Sequence, residues 1–278
     1  MNKFLAVLFL GLLPLSICKA QSTEKIKGNR NVTIQQTNIE SFHTIDLDED
    51  FEIEVIYDKE PYVQIETDEN LHEYIEFEVV DSVLTFNKGI KITSKKKLKI
   101  KVTYDDVLKH IVTTDNAEIL SLSTMDLENG SLKTRGSSKA ALTIKSNNFN
   151  FDSDDKSKVK LNLTSENSII TMSGNSKLEA LINTSELNAK LYQRADANLE
   201  GSSKTTKLDL DNNTEFNGKN FTINICDVVC SISSDAYLEV IEAITIDASG
   251  ASSIYLYQNP KIVINTLSDT SKLQKKVK

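Results

Sequence analysis

The segment Gly174-Asn-Ser-Lys-Leu178, a small polar cluster followed by an apolar residue, recurs with variations along the second half of the chain. Related elements are Gly136-Ser-Ser-Lys-Ala140 and Asp155-Lys-Ser-Lys-Val159. The apolar residue that ends each element serves as its anchor, and the anchors fall at positions 119, 140, 159, 178, 199, 216, 238 and 254, in steps of 21, 19, 19, 21, 17, 22 and 16 residues. Self-similarity at a period of about 20 residues is typical of a solenoid.

A β-helix explains both this period and the composition of the repeats. Coils of about 20 residues hold two or three short strands and bury their apolar side chains only by stacking. Positions 111 to 260 contain 21 Ser and 17 Asn. Small residues fit the narrow interior, and Asn tolerates the left-handed backbone of tight corners. A leucine-rich repeat lacks support because its Leu pattern is absent, and a propeller needs about twice the period. A sandwich of irregular strands is the alternative.

The first half of the chain has a strict period of two. Segments such as Phe51-Glu-Ile-Glu-Val-Ile-Tyr57 and Leu98-Lys-Ile-Lys-Val-Thr-Tyr104 alternate apolar with polar side chains, as half-buried strands do. Turn formers separate these segments, and one helical turn is predicted near Leu71. The fold class is therefore all-β, with short alternating or antiparallel strands before the β-helix.

The first twenty residues have the pattern of a secretory signal. Lys3 precedes an apolar run from Phe4 to Leu15, and Cys18-Lys-Ala20 supplies small residues before Gln21. Lipoprotein processing at Cys18 is the less favoured alternative, because Ile17 stands where a small residue is normal. Cleavage after Ala20 changes the net charge from −8 to −10, since it removes two lysines. The protein is therefore predicted to be exported, to the periplasm, the outer membrane or the exterior.

These patterns divide the chain of 278 residues into four parts. Residues 1–20 form the signal peptide and 21–37 an N-terminal segment. Residues 38–262 form one β-helix domain, with alternating strands over 38–105 and repeat coils over 106–262. Residues 263–278 are predicted to form a Lys-rich flexible tail, because they follow the last apolar segment.

Two cysteines remain after the signal, Cys226 and Cys230. An exported protein can form a disulfide. Residues four apart on one straight strand are about 13 Å apart, too far for a disulfide, so a bridge needs a bend near Asp227-Val228. The alternative is two small buried side chains on one strand face, and the sequence favours neither.

Catalytic chemistry has little support in this sequence. His43, His72 and His110 are far apart, and no nucleophile elbow, zinc motif or phosphate-binding loop occurs. We predict no catalytic residues, no metal site and no cofactor. Only three of the 32 basic residues are Arg, which together with the net negative charge argues against nucleic acid as a partner.

One basic block stands out within the acidic chain. Its seven lysines are Lys88, Lys91, Lys95, Lys96, Lys97, Lys99 and Lys101. On alternating strands several of them share one face, which predicts a patch for an anionic glycan or lipid headgroup. The competing interpretation is that these lysines prevent edge-to-edge aggregation of strands.

A resemblance to a known family adds to this reading. After the export signal come Phe42-His-Thr-Ile45, Phe51-Glu-Ile-Glu-Val55, the segment from Val63 to Leu71, the segment from Val79 to Phe86, and a Ser249-Gly-Ala-Ser252 element. In this order they resemble the head GIN domain family of autotransporter adhesins, over roughly residues 38 to 260. The resemblance implies a right-handed β-helix and an adhesive function. The chain departs from the family in having few glycines, for example in Ala195-Asp-Ala197.

The sequence thus predicts an exported, non-catalytic binding or adhesion module of the bacterial cell envelope. It would contact a glycan or an envelope protein through the ribbed face of the β-helix, and homo-oligomers are compatible with flat exposed ladders. A carbohydrate-active enzyme on the same scaffold, a polysaccharide lyase or glycosidase, is one alternative. A structural envelope protein is the other.

Overall fold

The computed structural model describes residues 25–277. The predicted signal peptide and the alternative lipidation at Cys18 lie outside the described residues. Within the described range, strands account for 70% of the chain and helix for 2%, and they form a β-solenoid of about nine turns of about 19 residues. The all-β class and the β-helix predicted from the repeats are confirmed.

The described residues form twenty-one strands and one short 3-10 helix, Glu69–Tyr74. In chain order the strands are β1 (Lys25–Lys27), β2 (Val32–Asn38), β3 (Thr44–Leu47), β4 (Glu52–Tyr57), β5 (Tyr62–Asp68), β6 (Ile75–Val80), β7 (Val83–Lys88), β8 (Lys91–Ser94), β9 (Leu98–Tyr104), β10 (His110–Thr113), β11 (Glu118–Ser121), β12 (Met125–Thr134), β13 (Lys139–Ser153), β14 (Lys158–Met172), β15 (Lys177–Tyr192), β16 (Asp196–Asp211), β17 (Glu215–Cys230), β18 (Asp235–Ala248), β19 (Ser253–Tyr257), β20 (Lys261–Leu267) and β21 (Lys272–Lys275).

Strand β14 shows how one coil is built. Inward and outward side chains alternate from Lys158 to Ser165, then two successive exposed residues, Glu166 and Asn167, mark a corner. Alternation resumes through Met172, and a turn at 173–176 leads to the next coil. Each long coil therefore has a first face before the corner and a second face after it.

The first faces of successive coils align through one inward ladder. From the N-terminal end of the stack it consists of Ile100, Ile53, Ile119, Ala140, Val159, Leu178, Ala197, Phe216, Ala236, Ile254 and Leu273. Six of the eight predicted anchors lie in this ladder. The anchors predicted at Leu199 and Leu238 are wrong by two residues, because Ala197 and Ala236 occupy the ladder and the larger Leu side chains lie at the next inward position.

The stack does not follow chain order at its N-terminal end. Strands β3 and β4 pair in parallel with β7 and β9 on one side and with β10 and β11 on the other. The outermost coil is thus β7 to β9, and residues 44–57 form the second coil. The predicted division into alternating strands before residue 105 and coils after it is therefore wrong, since four of the early strands already belong to the stack.

Antiparallel strands close the N-terminal end of the core. Strand β6 pairs with β7, and β2 pairs with β5, which pairs with β9. The 3-10 helix lies where the sequence predicted a helical turn, and its Leu71 is buried. The sequence predicted such short antiparallel strands, but β5 and β6 lie in the chain between strands of the stack and not before them.

At the opposite end, regular structure continues into the predicted tail. Strand β20 pairs with β18 and β21 pairs with β19, both in parallel. The prediction of a flexible tail from residue 263 is therefore wrong. The preceding coil has backbone N–H and C=O groups free at its edge. Strands β20 and β21 pair with them and extend the sheet, although this segment is rich in lysine.

The corners explain the polar composition of the repeats. Ser146, Ser165, Thr184 and Ser203 stack inside one corner, and the Ser165 hydroxyl donates to Thr184 Oγ1 at 3.2 Å. The turn between coils contains a residue with positive φ in coil after coil: Asp115, Gly136, Asp155, Gly174, Gln193, Asn213, Ile232, Gly250 and Asp269. Most are Gly, Asn or Asp, as the left-handed conformation favours.

Candidate binding surface

Outward side chains of the first face form straight rows along the solenoid. One row consists of Glu52, Glu118, Lys139, Lys158, Lys177, Asp196, Glu215, Asp235, Ser253 and Lys272. Neighbouring strands of a sheet are about 4.8 Å apart, so each side chain lies one such step from the next. The parallel, in-register stacking thus converts sequence periodicity into a linear array of charges.

Three successive lysines form the centre of this row, and we call Lys139, Lys158 and Lys177 the lysine row. Lys139 forms an ion pair with Glu118, which raises the pKa of the Lys139 ammonium. At the other end Lys177 lies 3.3 Å from Asp196. Lys158 lies between two cations and is exposed. The row therefore presents a cation with like charges on both sides, an arrangement that attracts an anionic ligand.

A shallow groove of 460 Å³ adjoins the lysine row on the same face. Its lining includes Leu181, Asn162, Lys160, Glu179 and Glu200. Lys160 Nζ lies 3.4 Å from Glu179 Oε2, and the two side chains are 76% and 66% exposed. The groove holds two carboxylates near a base, but water reaches the charged groups freely.

Beyond the lysine row the sign of the charge reverses. Glu215 lies between Asp196 and Asp235 in the same row. Partial burial, followed by repulsion from those two carboxylates, raises the pKa of Glu215. An anion lying along the row therefore meets attraction over three coils and repulsion over the next three.

The predicted lysine patch is placed near the N-terminal end and is interspersed with acidic side chains. Lys97 lies 2.7 Å from Glu66, Lys99 lies 3.0 Å from Glu54, and Lys88 forms an ion pair with Asp50. The antiparallel neighbour β5 and the parallel neighbour β4 supply two of these acids, which no local pattern reveals.

The remaining lysines of the patch also have neighbours. Lys101 lies over the ring of Tyr62 at 5.5 Å, and Lys96 donates to the carbonyl oxygen of Arg30 at 3.5 Å. Lys91 and Lys95 line a cavity of 290 Å³ together with Glu49 and Asp50. The patch therefore attracts anions less strongly than its seven lysines suggest.

The two cysteines are free and buried. Cys226, Val228 and Cys230 all face inward on one straight segment of β17, and the corner of this coil lies at Asn224-Ile225 instead. The bend that a bridge would need is absent, so the disulfide alternative is not realised. Burial raises the pKa of the Cys226 thiol and that of Cys230, the latter to about 12.

The histidines gain one contact that the sequence does not indicate. His43 and His110 lie on adjacent coils with ring centroids 6.2 Å apart, and burial is the largest cause of the lowered pKa of His110. Across residues 25–277 no group of three or more His, Cys, Asp or Glu side chains is arranged to hold a metal ion.

The fold and surface can now be compared with known proteins. The family described as "Putative auto-transporter adhesin, head GIN domain" matches residues 41–181 and 158–260, two overlapping segments that together span most of the chain. The chain belongs to this family.

Solved structures share the fold of this head GIN chain. A putative adhesin from Parabacteroides distasonis superposes with a TM-score of 0.65 at 17% identity, covering 90% of this chain and 100% of that one. A putative adhesin from Parabacteroides merdae gives 0.60 at 14% identity, with 91% and 99% covered. A structure titled putative lipid binding protein from Parabacteroides distasonis gives 0.59 at 17% identity, with 91% and 98% covered.

No curated protein matches the sequence. In the described part of this head GIN chain, no helix has the length and apolar character that crossing a membrane requires.

Sequence reasoning missed the lysine row, although a signal for it exists. Lys139, Lys158 and Lys177 each precede an anchor of the repeat and are separated by 19 residues. Alignment of the repeats by their anchors places these lysines in one column. The block from Lys88 to Lys101 stands out in the sequence because its lysines are close together along the chain. In a solenoid, however, side chains come close in space when they are separated by one repeat.

Proposed function

We propose that this chain is an exported, non-catalytic adhesion module of the bacterial cell envelope that binds a linear anionic glycan along the lysine row. The observation that carries this proposal is the alignment of three lysines at one-strand intervals on an exposed, flat face. Membership of an adhesin-type family and the description of structural neighbours as adhesins support a binding function.

A linear polymer suits this geometry better than a compact ligand. The row extends over three coils, about 10 Å, and a glycan chain places its sugar units at comparable intervals. Each exposed contact is weak, and several contacts along one chain combine through multivalency. The acids beyond Lys177 would limit the length of chain that binds.

The test uses immobilised polygalacturonate and alginate as probes, with neutral dextran as the ligand control. The chain from Gln21 should be retained on the anionic columns and not on dextran. Replacement of all three lysines of the row by Gln should remove retention. Lys133→Gln combined with Lys190→Gln and Lys207→Gln, a matched triple change on the second face, should not. Equal retention of the two variants would overturn the assignment of the site.

The groove beside the lysine row favours one second candidate, a carbohydrate-active enzyme. Lys160, Glu179 and Glu200 supply a base and two acids. The high exposure of Lys160 and Glu179 argues against it, because glycoside cleavage needs a carboxyl group with a raised pKa in a site that restricts water. Release of new reducing ends, or of unsaturated products, from the retained polysaccharides would favour the enzyme. A third outcome, binding of lipid vesicles alone, would favour the property named in one neighbour's title.

A further inference from the structure

The two ends of the solenoid differ in how well the apolar core is covered from water. At the N-terminal end, Leu71 and Ile75 are buried beneath the cap. At the C-terminal end, the last side chains of the second-face ladder are open to water: Ile262 is 44% exposed and Ile264 is 47% exposed. Their partners one coil earlier, Ile244 and Ile246, are almost fully buried. The apolar interior thus ends at the surface, where repeat proteins usually have a polar cap.

Both ends also expose unpaired strand edges. In the described residues β20 pairs only with β18 and β21 only with β19, while at the other end β6 pairs only with β7 and β2 only with β5. Strands β6 and β20 are the two outer strands of the second-face ladder, and β2 and β21 are the outer strands of the first-face ladder. Such edges are templates for pairing with another chain.

The segment that contains the 3-10 helix and strand β6 contrasts in charge with the terminal strands β20 and β21. Residues 69–82 contain five acidic side chains, namely Glu69, Glu73, Glu76, Glu78 and Asp81, and no Lys or Arg. Residues 261–277 contain four lysines, namely Lys261, Lys272, Lys275 and Lys276, and one acid, Asp269. Contact between two C-terminal ends would oppose like charges, whereas contact between unlike ends would pair them.

We propose that the open C-terminal end of the solenoid docks on strand β6, the acidic edge of the N-terminal cap, of a second copy of this chain. Strand β20 adds to the free edge of the second copy's β6, in antiparallel orientation because β6 runs against the stack. Ile262 and Ile264 are covered by the contact, and Lys261 of β20 faces Glu76 and Glu78. The contact is head-to-tail and leaves both outer ends free, so the copies form a linear assembly.

Charge reversal at each end separates this proposal from other forms of association. One variant carries Lys261→Glu and Lys272→Glu, and the other carries Glu76→Lys and Glu78→Lys. All four residues lie on terminal strands outside the packed core. A matched control, Lys133→Glu with Lys190→Glu, makes the same charge change as the first variant at mid-solenoid, outside the lysine row.

Sedimentation velocity of the chain from Gln21 at increasing concentration gives the readout. The weight-average mass of the wild type and of the mid-solenoid control should rise beyond twice the monomer mass. Each end variant alone should lose this rise, because like charges then meet at the contact. A one-to-one mixture of the two end variants should regain it, as should one chain carrying all four substitutions.

Three results would overturn the proposal. A wild-type chain that stays monomeric over the whole concentration range would contradict the proposal directly. An N-terminal variant that associates like the wild type would point to contact between two C-terminal ends. A mixture that stays monomeric while both variants keep the wild-type circular dichroism and unfolding midpoint would show that charge pairing between the ends is not involved.

Discussion

Ile232 and Gly250 occupy the same position of the turn in successive coils, and both have positive φ, 60° and 67°. Gly pays no steric penalty there, whereas a β-branched side chain in the left-handed conformation costs about 1–2 kcal/mol. Ile232 is half exposed, so burial does not repay this cost. We therefore expect Ile232→Gly to stabilise the protein by about 1 kcal/mol.

The urea midpoint of unfolding measures this change. The matched control is Gly250→Ala, which should lower the midpoint, because a Cβ at that position would lie 2.7 Å from the carbonyl oxygen of Ile232. A lower midpoint for Ile232→Gly would show that the side chain contributes more than its backbone strain costs.

The two cysteines should be inert in the folded protein. At pH 8 their thiolate forms are scarce, because burial raises the pKa of both thiols, that of Cys230 to about 12. Iodoacetamide should therefore add no mass to the native chain within a time that labels both thiols in urea. Reductant should leave the thermal midpoint unchanged, whereas a lower midpoint with reductant would show that a disulfide stabilises the chain.

Lys158 should lower the stability of the folded protein. It faces Lys139 and Lys177 on adjacent strands, and like charges opposite each other are destabilising by about 0.2–1 kcal/mol. Lys158→Glu should therefore raise the thermal midpoint while it weakens binding to anionic glycan. A lowered midpoint would contradict the repulsion, and Lys190→Glu on the second face serves as the comparison.

The predicted export signal determines which residue should begin the mature chain. The mature chain should begin at Gln21, because Ala20 ends the predicted signal. Intact-mass measurement of the protein recovered from the source envelope or medium tests this. Cys18→Ser should leave the mature mass and location unchanged. A mature chain that begins at residue 18 with a mass increment of a lipid would instead support lipoprotein processing.

Much of the fold could be predicted because it depends on local periodicity. The alternation in β4 and β9 and the 19-residue recurrence around Leu178 are both visible in one sequence. Ladder positions held by Ala197 and Ala236 were missed, since a small side chain marks an anchor weakly beside a neighbouring Leu. The ordered end of the chain was missed because pairing with β18 overrides the polar composition of the tail.

Features that depend on stacking order could not be predicted. Residues 44–57 lie between two coils that are later in sequence, and nothing local signals this exchange. The acids that neutralise Lys97 and Lys99, Glu66 and Glu54, arrive from other strands. The lysine row, in contrast, could be predicted, because the 19-residue spacing of its lysines is visible in the sequence. Alignment of the repeats in the correct register is enough to bring these lysines into one row.

The affinity of the chain for oligogalacturonates of increasing length tests the proposed binding mode most directly. Titration calorimetry should show affinity rising with each added sugar until the oligomer covers the three lysines, a distance of about 10 Å. Lys158→Gln should lower the affinity for long oligomers about fivefold, since one lysine facing an anionic ligand contributes about 1 kcal/mol. Equal affinity for the monosaccharide and the long oligomers, with no effect of Lys158→Gln, would contradict binding along the lysine row.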